Sequence, residues 1–423
     1  LVTSGFVFDI ISVNVDGNSV YINAKNIKQN TKNSKISSEI HINPVELLKL
    51  SDNLTTPIWK STGGTHSAGL WYHNELVIVT TDIDRYNAVD KVIGWMILHK
   101  IPARDCFVGV TGRIFSELVR KIYNANIPII ASRSAVTAQC IELSRIMGLT
   151  LIGFVRDRNR FTIYSLPERV TGLDNYIIPI DNLPKYQNKK TVTQIHGLKY
   201  SDNNITITTE LVVTEVEVTV YLNEKELIKL VASPENLCEL AVGYCVSVGV
   251  IHTLDEIVSI TENKCSVYIK THTTIPTKHT HELTDNPDNY HYCIDSNEIF
   301  EIQNSIDNND NHLTGGIHCA GLCYDHSCKF MACDISRHNT IDKIIGYIIL
   351  NKINPLKCMI GCSGRQTTEI IRKIANIGIP IIVSRAATTN KGIHTAKLYG
   401  ITLICFARSP RYTVYTNQHR VIG

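Results

Sequence analysis

Arginines recur in this chain beside small and hydroxylated residues, in short stretches that each follow an apolar, β-branched segment. Thr111-Gly112-Arg113, Ser132-Arg133-Ser134-Ala135 and the run Arg156, Arg158, Arg160 form one set. Ser363-Gly364-Arg365, Ser384-Arg385-Ala386-Ala387 and the stretch Arg408 to Arg411 repeat it. Where such stretches open helices, unpaired N–H groups and positive potential face outward, and glycine lets backbone approach a ligand. Arginine adds bidentate hydrogen bonding suited to phosphate. Arg113, Ser132, Arg365 and Ser384 are therefore candidates for binding an anion, a nucleotide or a phosphorylated cofactor. The competing structural reading is that these arginines cap helices and pair with acids such as Glu117 and Glu369.

A second polar cluster, Asp82, Arg85, Asn87, Asp90 and Lys91, leads into a helical pattern and returns as Asp334, Arg337, Asn339, Asp342 and Lys343. Asn87 as a helix cap and Asp90-Lys91 as a solvated turn is the structural alternative. His66 and His318 each follow a double glycine, a context for a tight turn that presents the ring to a ligand.

Of 13 cysteines, Cys106 and Cys140 precede residue 195 and the rest follow it. The odd total and the absence of a secretory signal favour free thiols in a reducing cytoplasm. Cys319, Cys323, Cys328 and Cys333 surround a hairpin turn expected at Tyr324 to Ser327. Soft ligands of this kind could hold a metal or iron–sulfur cluster. Their spacings fit no common ligand pattern and no C-x-x-C occurs, so small buried residues are the simpler reading and no metal ligand is assigned.

The elements that must position these groups come in two copies. Gly63-Gly64-Thr65-His66 recurs as Gly315-Gly316-Ile317-His318, an offset of 252 residues that holds without a gap as far as Asp157 and Ser409. After one deletion, Arg160 to Tyr164 matches Arg411 to Tyr415. In each copy strand patterns (Glu75 to Thr81, Phe107 to Val110, Ile127 to Ala131, Leu149 to Phe154) alternate with helical ones (Asn87 to Lys100, and others through Leu118 and Ile141). This predicts an α/β fold with a mixed, largely parallel sheet and helices on both faces. Ligands of such sheets bind outside the strand C-termini, where the arginine stretches fall.

The expected division is a truncated subdomain (1–62), module 1 (63–170), a linker (171–194), a smaller α+β subdomain (195–313) and module 2 (314–423). Within 195–313, Ile205 to Leu222 reads as a hairpin and Glu239 to Ile251 as a helix. A net charge of +3 with scattered basic residues gives no argument for nucleic acid. No apolar run approaches the roughly 18 residues of a membrane helix. The chain begins with Leu1 rather than Met, so upstream residues are expected.

These motifs resemble the FdhD/NarQ family of formate dehydrogenase accessory sulfurtransferases. The resemblance rests on Thr314-Gly315-Gly316-Ile317-His318, on Asp334 to Lys343, on Gly378-Ile379-Pro380 and on Thr402 to Arg408. It also rests on their first-copy equivalents, including Thr150 to Arg156, and on Leu237 to Ile251 for the family's N-terminal subdomain. It implies cytidine-deaminase-like, three-layer α/β/α modules, and a fused pseudo-dimer in place of a homodimer. It implies cytoplasmic transfer of sulfur from a cysteine desulfurase to the molybdenum (or tungsten) bis-molybdopterin guanine dinucleotide cofactor of formate dehydrogenase. A guanine nucleotide would be a surrogate ligand. The dinucleotide site it implies maps to Phe406, Ala407, Arg408, Ser409, Pro410 and Arg411, and to Phe154, Arg156, Arg158 and Arg160.

The chain departs from the family in one respect that bears on chemistry. A sulfur-carrying cysteine is expected in a glycine-rich loop before the Gly-Gly-x-His motif. Phe6 stands there in the first copy, and Cys293, without that context, is the nearest substitute in the second. Asp84 and Ser336 also replace a family glycine. The alternatives are a non-catalytic cofactor-binding chaperone and a metalloprotein using the Cys319 to Cys333 cluster.

Overall fold

The computed structural model describes residues 4–29, 34–156, 160–173, 175–179, 191–272, 292–307 and 314–422. The chain divides into two compact units. One comprises Leu1–Ser61, Thr65–Leu183 and Thr193–Val212, the other Thr62–Gly64, Pro184–Val192 and Val213–Gly423.

The first unit is built on an eight-stranded sheet. Its hairpin His66–Tyr72/Glu75–Asp82 turns through His73 and Asn74, with φ of 50° and 64°. Two consecutive left-handed residues give the turn whose twist matches paired strands. Helix Arg85–Leu98 then leads to Cys106–Val110, which runs parallel to Ile129–Ser132 and through it to Thr150–Arg156. Helices Ser116–Asn124 and Ala138–Met147 make the crossovers, and Arg160–Ser165 returns antiparallel. Val92, Leu118 and Ile141 carry the helices onto one face of the sheet. Leu47, Leu50 and Leu54 cover the other, against Trp71, Phe107 and Phe161. Cys106–Val110 is buried along its whole length, as a strand covered on both faces must be.

The second unit repeats this plan in a six-stranded sheet, from His318–Tyr324/Ser327–Asp334 through Met359–Cys362, Ile381–Ser384 and Thr402–Arg408 to Arg411–Val414. The likeness outlasts the obvious sequence match. Arg169 and Arg420, both buried, donate from Nη1 to Gly148 O (2.8 Å) and Gly400 O (2.6 Å), and to the hydroxyls of Thr150 and Thr402.

Two expectations change. The sheets are mixed but not largely parallel: three adjacent strands in each module are parallel, and hairpins on either side are antiparallel. Strand–helix alternation holds only through the middle of each repeat, and strands joined by two-residue turns cannot be parallel. The hairpin expected over Ile205 to Leu222 is instead two strands of different hairpins. Asn204–Val213 pairs with Val192–Ser201 at the edge of the first unit's sheet, turning at Asp202 and Asn203 (φ 49° and 64°). Val216–Leu222 pairs with Lys225–Ala232 in the second unit, turning at Asn223 and Glu224 (φ 47° and 68°). Residues 192–213, assigned to the linker and the second subdomain, thus extend the first module's sheet. At the start of the chain Phe6–Asp16 and Ser19–Gln29 pair as a two-stranded antiparallel ribbon.

The α+β subdomain before module 2 is a four-stranded sheet, Lys225–Ala232, Val216–Leu222, Ser266–Thr271 and Ile257–Asn263, with helix Leu237–Ser247. That helix crosses helix Arg337–Leu350 at two glycines. A Cβ on Gly243 would stand 1.7 Å from the Asp342 carbonyl oxygen, and one on Gly346 1.9 Å from that of Glu239. Gly94 is the first-module counterpart of Gly346, and nothing described comes within 4 Å of a Cβ placed there. Among the described residues no helix is long and apolar enough to cross a membrane.

Candidate functional site

The strand ends gather most of the expected residues in each module. His66 lies directly across the hairpin from Asp82, and His318 from Asp334. Asp84 and Ser336 are the N-caps of the following helices, accepting from the amides of Tyr86 (2.8 Å) and His338 (3.3 Å). Capping explains why a short polar side chain serves where the family has glycine. It also removes the capping role considered for Asn87, which instead donates to Asp82 Oδ1 at 3.2 Å.

Arg85 then runs back along the loop Thr111–Arg113. A Cβ on Gly112 would stand 3.1 Å from Arg85 Cβ and 3.3 Å from His66 Nδ1, and one on Gly364 2.8 Å from Arg337 Cβ. Glycine is needed here because the arginine stem occupies the space a side chain would fill. Arg85 is 8% exposed, its guanidinium lies 4.7 Å from the Phe115 ring, and its Nε and Nη1 meet no acceptor among the described residues. Buried N–H groups left in this state favour an incoming anion.

Ser132 and Ser384 are buried beneath these loops rather than facing a ligand. Ser132 Oγ donates to Gly112 O (2.7 Å) and accepts from Ser134 N (2.9 Å). Ser384 Oγ does the same with Gly364 O (2.7 Å) and Ala386 N (3.0 Å). They position the loops.

At the next strand end Phe154 and Phe406 both adopt positive φ, 54° and 53°, where a bulge ends regular pairing. Non-glycine residues held there mark a backbone constrained by its surroundings. Arg156 is opposite Arg160, and Arg408 opposite Arg411, at the mouth of this hairpin. Arg156 Nε donates to Arg133 O at 3.4 Å, joining this hairpin to the Ser132 loop. Arg408, Ser409, Pro410 and Arg411 are exposed, whereas Ala407 is buried and turned away from any ligand. Arg113 and Arg365 are half-buried beside their glycines. Arg158 lies outside the described residues.

The two copies differ in how open this edge is. In module 1, Lys91 Nζ meets Asp82 Oδ2 at 2.6 Å and stays 52% exposed. Burial pushes the Asp82 carboxyl up, but Lys91, the Asp84 amide and Asn87 together hold it below the usual carboxylate range. In module 2 the equivalent pair, Lys343 and Asp334, lies at 2.7 Å and both side chains are 0% exposed. Asp334 also accepts from Ser233 N (3.0 Å), Ser336 N (3.0 Å) and Asn339 Nδ2 (2.9 Å). Asp334 and Asn339 therefore fix the subdomain to the module and are not available to a ligand as expected. Among the described residues no amide equivalent to that of Ser233 reaches Asp82, whose partners are Asp84 N, Asn87 and Lys91.

The cysteine cluster does not form a metal site. Cys319 and Cys333 are cross-strand partners, Cα 4.2 Å apart, joined by a disulfide, contrary to the free thiols expected. Cys323 faces Cys328 as a separate pair. Among the described residues no three His, Cys, Asp or Glu side chains could hold a metal ion. The signal was present in the spacing: 319 with 333 and 323 with 328 are near-symmetric about the Asp325-His326 turn, as cross-strand partners in a hairpin are. Cys293 is half-buried just before the short strand Ile294–Asp295.

A duplicated, mixed α/β module with an arginine-lined strand edge is thus the class of protein in hand. The model of the FdhD/NarQ family matches residues 12–171 and again 213–422, and the chain belongs to that family. A "Sulfur carrier protein FdhD" of Bacillus subtilis is 29% identical over 253 residues, 53% of this chain and 95% of that protein. One from Wolinella succinogenes is 31% identical over 240 residues, 50% of this chain and 82% of its own length. A crystal structure of a candidate formate dehydrogenase accessory protein from Desulfotalea psychrophila, 24% identical, covers 55% of this chain and 100% of that one at a TM-score of 0.49.

Proposed function

We propose that this protein carries sulfur to the molybdenum or tungsten bis-molybdopterin guanine dinucleotide cofactor that formate dehydrogenase receives, with a cysteine desulfurase as donor. The cofactor is the client, held by its anionic nucleotide end at the strand edge of the cytidine-deaminase-like modules. The observation that carries this reading is Arg85: a buried guanidinium whose Nε and Nη1 meet no acceptor among the described residues, beside His66 and the Gly112 loop, in a chain whose relatives are sulfur carriers. Arg156 and Arg160 stand at the neighbouring loop to take further phosphate charge. Two fused modules would serve in place of two subunits.

Titration of the full chain with guanosine diphosphate tests the ligand half. Removing one buried charged donor, worth about 1.5–3 kcal/mol, should weaken binding roughly 10- to 150-fold in Arg85→Ala. Unchanged affinity in Arg85→Ala and in Arg156→Ala would sink the site. A non-catalytic binding chaperone is the second reading, favoured by Phe6 at the position expected for the loop cysteine.

A further inference from the structure

The hairpin His318–Tyr324/Ser327–Asp334 carries its two cysteine pairs on the face covered by helix Ser296–Asp307. Between them, Gly321 leaves room: a Cβ there would stand 3.1 Å from Cys328 Sγ and 3.3 Å from Met331 Cε. The corresponding pair in module 1 is Trp71 and Leu76, and the Trp71 ring, fully buried and stacked on Phe107 at 4.7 Å, fills the equivalent space. Where module 1 has an indole and an isobutyl group, module 2 has two thiols, and a cavity of ≈ 570 Å³ adjoins them, lined by Cys323, Cys328, Met359, Ile302, Glu298 and His326.

Both cysteines line the cavity, Cys323 buried and Cys328 half-buried, so Cys328 is the more accessible sulfur. The Cys323 thiol donates a hydrogen bond to the Cys328 sulfur; that bond lowers the Cys328 thiol to about 7 and pushes Cys323 well up. Glu298 and Glu301 from the helix, His326 from the turn, Cys358 from the neighbouring strand end and Tyr292 are the charged or titratable groups around them among the described residues, with His326 Nδ1 2.6 Å from Glu298. A partly accessible thiolate beside a second thiol and a cavity is the arrangement sulfur exchange requires.

We infer that Cys328 is a sulfane-sulfur acceptor, with Cys323 as its positioning hydrogen-bond donor and the adjoining cavity admitting a persulfide, R–S–SH. The Cys328 thiolate attacks the outer sulfur, the donor's S–S bond breaks, and the donor leaves as the thiolate RS⁻ while Cys328 holds –S–SH. One S–S bond replaces another, so the transfer consumes no oxidant or reductant. This rests on the sulfur-carrier reading and gives it a cysteine that the loop position lacks. The cavity lies at the end of the hairpin away from His318, so it receives sulfur apart from the nucleotide edge.

The test incubates the full-length protein anaerobically with cysteine persulfide, alkylates it and maps the peptides by mass. The expected result is one added sulfur on Cys328, with labelling that rises through about pH 7. Cys328→Ser should lose the label. Cys323→Ser should keep it but acquire it roughly 5- to 10-fold more slowly at neutral pH, since a smaller thiolate fraction outweighs greater nucleophilicity. Undiminished labelling in Cys328→Ser, or a Cys323–Cys328 disulfide formed with no persulfide on Cys328, overturns the assignment. Label confined to Cys293 overturns it while the sulfur-carrier reading stands. No label on any cysteine removes both.

Discussion

Gly243 and Gly346 bring two helices together so closely that a methyl group on either would meet the other helix's backbone. Gly346→Ala should therefore lower the stability of the second unit by about 2–4 kcal/mol, because backbone cannot rotate aside as a side chain can. Gly94→Ala, at the same place in module 1, should stabilise by up to about 1 kcal/mol through helix propensity alone. Denaturant unfolding of the two variants gives opposite shifts if the crossing is as described.

The Lys343–Asp334 pair predicts a similar contrast. Lys343→Ala strands a fully buried carboxylate and should cost about 3–5 kcal/mol. Lys91→Ala, removing a half-exposed partner, should cost less than about 1 kcal/mol. Equal losses in thermal unfolding would contradict the difference in burial.

Asp82 should make module 1 acid-sensitive. Its carboxyl is held below the unfolded value, so the stability it contributes is present above about pH 4 and is lost as pH falls through the folded value. Asp82→Asn should flatten that acid limb in a pH series of unfolding midpoints.

Alkylation should find Cys319 and Cys333 protected until a reductant is added, then reactive. Cys333→Ala should lose about 3 kcal/mol, the scale set by closing a loop with a sequence separation of 14. Immediate alkylation of both residues in the native protein would refute the bond.

Much of this was legible in the sequence because duplication supplied a second reading of each motif. Strand–helix alternation puts the Gly112, Ser132 and Arg156 stretches at one edge, and they are linked there through Ser132 Oγ to Gly112 O and Arg156 Nε to Arg133 O; that His66 and Arg85 lie against Gly112 is set by the hairpin register instead. What escaped were features set by cross-strand register. Nothing in local pattern separates Val212 from Val216, although the two belong to different units. The pairing of Cys319 with Cys333 depended on where a two-residue turn falls. Asp334 was misjudged for a related reason: whether a carboxylate meets solvent or Ser233 depends on a segment about a hundred positions away.

Ser132 and Ser384 hold their loops from below through hydroxyls that solvent does not reach. The loops of the proposed site are therefore held in place without a ligand, and association there should require little ordering of the main chain. Its entropy should then be dominated by the ligand's own lost freedom and by released water rather than by loop folding.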